Sequence, residues 1–242
     1  PIPRDRDQIF PRYDGTFFKI IMGIPPLRHM QDYKDDIKSV KWFNRETYPL
    51  DLAILEASDL EDWEKQAKYI QDNLTEKTIK KSFEVLPNEV KNNYDNVIIE
   101  RLLERKEKLN SFAKEYHKVL SKIVILKGTN ERDNFVITRL PKGKTSIKVY
   151  AGEQQELVMD RVFEKKLTKE IRLYGLNETD TFSVDGKGTN PIKIRLIGGI
   201  DDDIYEVKRN KNIRIYDYKN GNSTEASSFL TSKKLIDDYE IN

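Results

Sequence analysis

Cysteine is absent from the 242 residues, which excludes disulfides, zinc–thiolate sites and a cysteine nucleophile. The absence fits the cytosol and a bacterial envelope alike. Histidine is nearly absent as well: His29 and His117 have no cysteine or second histidine close in sequence, and both read as structural. Charge of one sign is missing, since 43 Lys and Arg face 41 Asp and Glu for a net charge of +2. That balance gives no broad pull toward nucleic acid, and no nucleic-acid partner is expected. Long apolar runs are missing too. None approaches the roughly 20 residues a helix needs to cross a bilayer. The sequence starts at Pro1 with neither a methionine nor a signal-like segment, so it is expected to be part of a longer chain.

What is present is a repeat. Written Val/Ile-x-Leu-x-Gly-x4-Asp-x-Phe/Tyr-x-Val/Ile, one pattern fits Val124 to Ile137, Ile171 to Val184 and Ile194 to Val207. Half-matches stand at Ile147-x-Val149-x-Ala151 and Ile213-x-Ile215-x-Asp217. The slots Gly128, Ala151, Gly175, Gly198 and Asp217 are therefore 23, 24, 23 and 19 residues apart. A repeat of this length is one supersecondary unit that buries its apolar face only by stacking on its neighbours. The period of two and the β-branched and aromatic content predict two short strands per repeat, separated by a four-residue turn. Glycine at its slot is expected to supply backbone freedom, and Asp133, Asp180 and Asp203 to bond local turn amides. Stacked in parallel, Val124, Ile147, Ile171, Ile194 and Ile213 would form one ladder and Phe135, Phe182 and Tyr205 another. The expectation is a small β-solenoid, with an antiparallel β-sandwich as the alternative. A helical segment packed on the first rung would cap its open edge. Gly198-Gly199-Ile-Asp201-Asp202-Asp203 partly matches calcium-binding Gly-Gly-x-Gly-x-Asp repeats, making Asp201 and Asp203 a candidate Ca²⁺ pair beside the alternative of a plain aspartate-rich turn.

Upstream the period is helical. Phe17 to Ile24 reads as a buried strand or short core segment closed by Gly23 and Pro25-Pro26. Ser58-Asp59-Leu60-Glu61 has the form of a capping box opening a helix at about 59–73. Thr75 caps the next, with Ile79 and Phe83 inward. The longest helix is predicted from about Asp95 to Lys122, with Ile98, Leu102, Leu109, Phe112, Tyr116 and Val119 in one stripe. Arg101, Arg105, Lys106, Lys108, Lys114 and Lys118 on its other face alternate with Glu100, Glu104, Glu107 and Glu115, the pattern of a solvated surface. The fold class is thus α+β: a mainly helical domain over 1–122 with an extended start, a repetitive all-β domain over 123–218, and a linker or edge segment over 219–242. Near the start, Asp5 and Asp7 lie between prolines that hold the chain extended. That spacing allows two carboxylates to share one Mg²⁺ or Ca²⁺. Arg4, Asp5, Arg6 and Asp7 equally form a solvated, internally paired charge cluster.

Pro1-Ile-Pro-Arg-Asp-Arg-Asp-Gln, Leu74-Thr-Glu-Lys-Thr-Ile, Arg101-Leu-Leu-Glu-Arg-Lys-Glu-Lys-Leu and Gly128-Thr-x3-Asp133-x-Phe together resemble a known region. It is the periplasmic middle of BamA/TamA-like surface-antigen outer-membrane proteins, some of which carry a calcineurin-like metallophosphoesterase domain upstream. The resemblance implies a non-catalytic periplasmic scaffold or interaction module. Its expected partners are an outer-membrane barrel downstream in the same polypeptide and other envelope proteins, and no resident cofactor is expected. The N-terminal motif also resembles part of an atypical kinase motif of the HipA and CotH types, in which Asp5 or Asp7 would match a metal-binding aspartate. That alternative, the end of an incomplete metal-dependent phosphotransfer domain, lacks both the Asp-Arg-His catalytic loop and a glycine-rich phosphate loop in this sequence. No catalytic residue is assigned.

Overall fold

The computed structural model describes residues 10–13, 15–22, 24–55, 58–87, 91, 94–208, 211–218, 223–226 and 231–236. It is α+β, and the chain divides into two compact units. One comprises Pro1–Asp51 and Ser58–Val119, the other Leu52–Ala57 and Leu120–Asn242.

The first unit is helical. Its elements are α1 (Thr16–Ile21), α2 (Val40–Phe43), α3 (Tyr48–Ile54, whose end belongs to the other unit), α4 (Leu60–Asn73), α5 (Glu76–Glu84) and α6 (Tyr94–Leu120). The capping box of α4 lies one residue later than the Ser58–Glu61 spacing predicts. Asp59 accepts from the Asp62 N–H at 3.0 Å, and the Asp62 carboxylate accepts from the Asp59 N–H at 3.1 Å. Ser58 instead accepts the indole N–H of Trp63 at 2.9 Å. Thr75 caps α5 as expected, through the Thr78 N–H. Phe17 to Ile24 is a correction: its described residues hold most of α1, with Phe17 and Ile20 roughly two-thirds exposed, and include no strand. On the basic face of α6, Lys114, Lys118 and the interleaved Glu100, Glu104, Glu107 and Glu115 are exposed as expected, and three cations are the exception. Arg101, Arg105 and Lys108, at i, i+4 and i+7, reach one extended segment. They donate to the carbonyls of Tyr33 (2.6 Å), Lys34 (2.5 Å) and Asp35 (3.4 Å), and Arg105 lies 4.1 Å over the buried Tyr33 ring. Alternating charge signalled solvation, yet carbonyl oxygens, which carry no sequence signature, occupy these cations.

The second unit holds strands β1 (Ile123–Lys127), β2 (Asn134–Leu140), β3 (Lys144–Ala151), β4 (Glu156–Glu164), β5 (Glu170–Leu176), β6 (Thr181–Gly186), β7 (Lys193–Gly199), β8 (Ile204–Val207), β9 (Ile213–Tyr218), β10 (Ser223–Ala226) and β11 (Thr231–Ile236). They form two sheets, β1-β5-β7-β9-β11 and β10-β8-β6-β2-β3-β4. Each full repeat gives its first strand to one sheet and its second to the other. Like residues pair in parallel: Val124 with Ile171, Ile171 with Ile194 and Ile194 with Ile213 in the first sheet; Phe135 with Phe182 and Phe182 with Tyr205 in the second. The three aromatic rings stack at 4.7 and 5.2 Å. These ladders make one core, in which Phe135, Phe182, Tyr205, Ile171, Ile194 and Leu173 are wholly buried. Each such side chain contributes about 1.5–3 kcal/mol relative to an exposed one.

Ile147 does not join the Val124 ladder. β3 turns back on β2 and pairs antiparallel with Ile147 opposite Ile137, and β4 pairs antiparallel with β3. The cause is the Pro141–Gly143 turn, where Lys142 (φ 59) and Gly143 (φ 72) are successively left-handed, a geometry whose twist suits a tight hairpin. The first repeat therefore spans two periods because a hairpin is inserted in it. Of the two readings of 219–242, the described residues 223–226 and 231–236 fit the edge segment: β10 continues the second sheet beside β8 and β11 the first beside β9.

Candidate functional site

The turns that join the two sheets gather the repeat's glycines and aspartates. Asp133, Asp180, Asp203 and Asp217 are all at most 3% exposed. Each of the first three faces the glycine five residues earlier. A Cβ built on Gly128, Gly175 or Gly198 would stand 2.2, 2.1 or 2.0 Å from the matching carboxylate oxygen. None of these glycines has a positive φ. Their role is therefore space for a carboxylate, a correction to the backbone freedom read from the sequence.

The carboxylates link successive repeats. Asp180 Oδ1 accepts the N–H of Asp133 at 2.8 Å, and Asp203 Oδ1 accepts the N–H of Asp180 at 2.9 Å. Asp133 Oδ2 accepts from the Thr129 N–H (2.5 Å) and its Oδ1 from the Gly152 N–H (3.2 Å). At the other end, Tyr205 donates its hydroxyl to Asp217 Oδ2 at 2.6 Å. Burial pushes Asp180 up to about 8 and Asp203 up to about 7, against the hydrogen bonds that favour their ionised forms, and neighbouring aspartates add to the rise. The phenol of Tyr205 is raised by burial and by Asp217. The column can thus hold protons near neutral pH. The Oδ1 oxygens of Asp133, Asp180 and Asp203 accept the protein's own amides, while Asp180 Oδ2 is buried without a hydrogen-bond partner among the described residues.

For the sequence-predicted metal pair, Asp203 faces the interior against Gly198, whereas Asp201 is exposed and accepts the Glu178 N–H at 2.9 Å. Among the described residues, no group of three or more His, Asp or Glu is assembled for a metal. Asp5 and Asp7 lie outside the described residues.

Sequence reasoning missed an outward-facing ladder on the first sheet. Arg172 pairs in register with Arg195, and Arg195 with Arg214. Glu170 meets Arg172 at 2.9 Å, Lys193 at 2.7 Å and Arg195 at 2.8 Å. Burial alone would raise the Glu170 pKa, but these cations outweigh it and hold the carboxyl at about 2. The signal was legible: the x in Ile-x-Leu/Ile is arginine at 172, 195 and 214. The helical unit offers an open cleft of about 650 Å³ near Lys19, Arg28, Asp32, Lys38 and Trp42, with the Arg28 guanidinium 5.6 Å over the Trp42 ring.

No family model matches the chain, and neither a curated protein nor a solved structure matches it. Function must be argued from this geometry.

Proposed function

We propose that the chain is a non-catalytic scaffold or interaction module of a larger envelope protein, built on a short β-solenoid. One observation carries this reading. The residues that define the repeat, its apolar ladders, its glycines and its aspartates, are buried and occupied with one another. Selective chemistry on an outside molecule would need some of them turned outward. Parallel pairing of like residues supports the solenoid over the antiparallel sandwich, because in a sandwich of hairpins successive strands would run antiparallel.

The proposed setting, on the periplasmic side of the outer membrane beside a barrel of the same polypeptide, rests on the sequence resemblance to the middle region of surface-antigen outer-membrane proteins. Neither a metal nor a nucleotide is needed for the role. The test is fractionation and in-cell crosslinking of the full-length protein. Recovery with the outer membrane, with crosslinks from the β unit to a barrel or another envelope protein, is expected. Recovery in the cytosol overturns the reading.

A further inference from the structure

The column of inward residues on β2 ends on a charge. Phe135, Ile137 and Arg139 point to the same side, and Arg139 is 3% exposed. In register it stands opposite Thr145 of β3 and Gly186 of β6. Its Nη1 donates to Thr145 Oγ1 at 3.0 Å. Its Nε and Nη2 are sealed from solvent and meet no hydrogen-bond partner among the described residues. Burial alone brings its pKa down to about 10, with no carboxylate opposing the shift.

Three connections close around this end of the stack: the Pro141–Gly143 turn, the β4–β5 link and the β6–β7 link. A Cβ on Gly188 would sit 3.2 Å from Arg139 Cβ, and one on Gly143 would sit 3.2 Å from Lys165 Cβ and 3.5 Å from the Asn190 carbonyl. Lys165 is only partly exposed. Its ammonium is destabilised by burial first, then by Lys169 and by Arg139. Lys165, Lys169 and Arg139 gather here, and no carboxylate among the described residues bonds Arg139 or Lys165: Glu164 is turned to Lys144 at 3.0 Å and Asp185 accepts the Gly186 N–H.

A buried guanidinium with two nitrogens lacking partners is costly, since a buried ion stripped of its partner is strongly destabilising. The two preceding inward positions on the same strand hold Ile and Phe, so an apolar residue would fit the pattern. Arginine's flat fork suits two oxygens of one oxyanion, and its charge survives burial.

We propose that this end of the β unit is an internal oxyanion site, in which Arg139 Nε and Nη2 bind two oxygens of a phosphate, sulfate or carboxylate group and Lys165 supplies the second positive charge. The proposal is independent of the scaffold reading and holds in any compartment. The site binds an anion as a structural ligand at the end of the stack, opposite to the aspartate-lined turns.

The test is calorimetric titration and thermal unfolding of the whole chain with sodium phosphate, sodium sulfate or sodium acetate, with ionic strength held constant by sodium chloride. Saturable binding of at least one anion is expected, with a melting temperature that rises with the logarithm of its concentration above Kd. The anion that binds most tightly identifies the group. Arg139→Gln should abolish both signals, Lys165→Gln should weaken affinity about tenfold, and Lys80→Gln in the helical unit should change neither. If Arg139→Gln does not fold, wild type against Lys165→Gln decides: equal affinities overturn the proposal. So does the absence of saturable binding to all three anions, or a non-saturating stabilisation shared by wild type and Arg139→Gln, which is general salting-out.

Discussion

Gly175→Ala separates the two physical readings of the repeat's glycine by sign. If the slot needed only backbone freedom at an ordinary φ, alanine would stabilise by about 0.4–1 kcal/mol through the unfolded chain. The structure predicts the reverse. The new Cβ would stand 2.1 Å from Asp180 Oδ2, 3.0 Å from its Cγ and 2.9 Å from the Gly198 carbonyl, with backbone on one side and a buried carboxylate on the other. Relief requires moving Asp180, whose Oδ1 holds the Asp133 N–H at 2.8 Å. Overpacking of about 1–3 kcal/mol and a lost hydrogen bond of about 0.5–1.5 kcal/mol, set against the unfolded-chain gain of about 0.4–1 kcal/mol, give a net destabilisation of about 1–4 kcal/mol. Urea unfolding followed by far-UV circular dichroism measures this as a fall in midpoint at unchanged slope. Repeating Gly175→Ala in an Asp180→Ala background tests the cause. Removing the carboxylate should reduce the cost by at least about 1 kcal/mol, with the Gly198 carbonyl accounting for what remains. A stabilising Gly175→Ala, or an equal cost in both backgrounds, refutes the steric account.

The aspartate column also fixes a pH dependence. Asp180 at about 8 and Asp203 at about 7 lie above the unfolded value near 3.9, so the folded state binds more protons between these limits. Stability of the β unit should therefore fall as pH rises from about 4 through about 8, and Asp180→Asn should flatten the slope. Constant stability of the wild type over that range would contradict the burial cost assigned to these carboxyls. Glu170 acts in the opposite sense: its depressed folded value near 2 contributes stability that is lost as pH falls from about 4.5 through about 2. In the helical unit, Arg105→Met removes the bond to the Lys34 carbonyl and the contact over Tyr33, and should cost about 1–3 kcal/mol. Limited proteolysis should then cut the segment around Tyr33 faster than in wild type; unchanged cleavage would return Arg105 to the solvated face.

Much of the β unit was legible because its signals are local and repeated. A valine or isoleucine every repeat in the same slot leaves few ways to stack, and the register from Val124 through Ile213 follows from it. Helix caps were legible to within a residue for the same local reason. Side chains that answer to distant backbone were not. Arg101 and Arg105 bond carbonyls 68 and 71 residues away, and nothing in an alternating Lys/Glu face announces that. Arg139 was hidden differently: one cation closing an apolar strand reads as a surface residue until the turn at Pro141–Gly143 folds β3 against it.

The inserted hairpin explains how the aspartate column can begin. Within the stack, Asp180 and Asp203 each take their inter-repeat bond from the N–H of the preceding repeat's aspartate. Asp133 has no preceding repeat, so no earlier aspartate N–H reaches its Oδ1, which accepts the Thr129 hydroxyl at 3.1 Å. Gly152, at the far turn of the hairpin, supplies that missing N–H at 3.2 Å, in a left-handed conformation (φ 67) that favours glycine. The same hairpin covers the edge of β2, which the parallel stack would otherwise leave unpaired. The exposed edge passes to β4, where Glu156, Asp160 and Glu164 alternate with Leu157, Val158 and Val162, and where Lys148–Asp160 and Lys144–Glu164 ion pairs tie it to β3. Charges on an edge strand oppose further pairing. The Ile147 half-match is thus no degenerate rung. It terminates the second sheet, giving its first aspartate a donor and its first strand a partner.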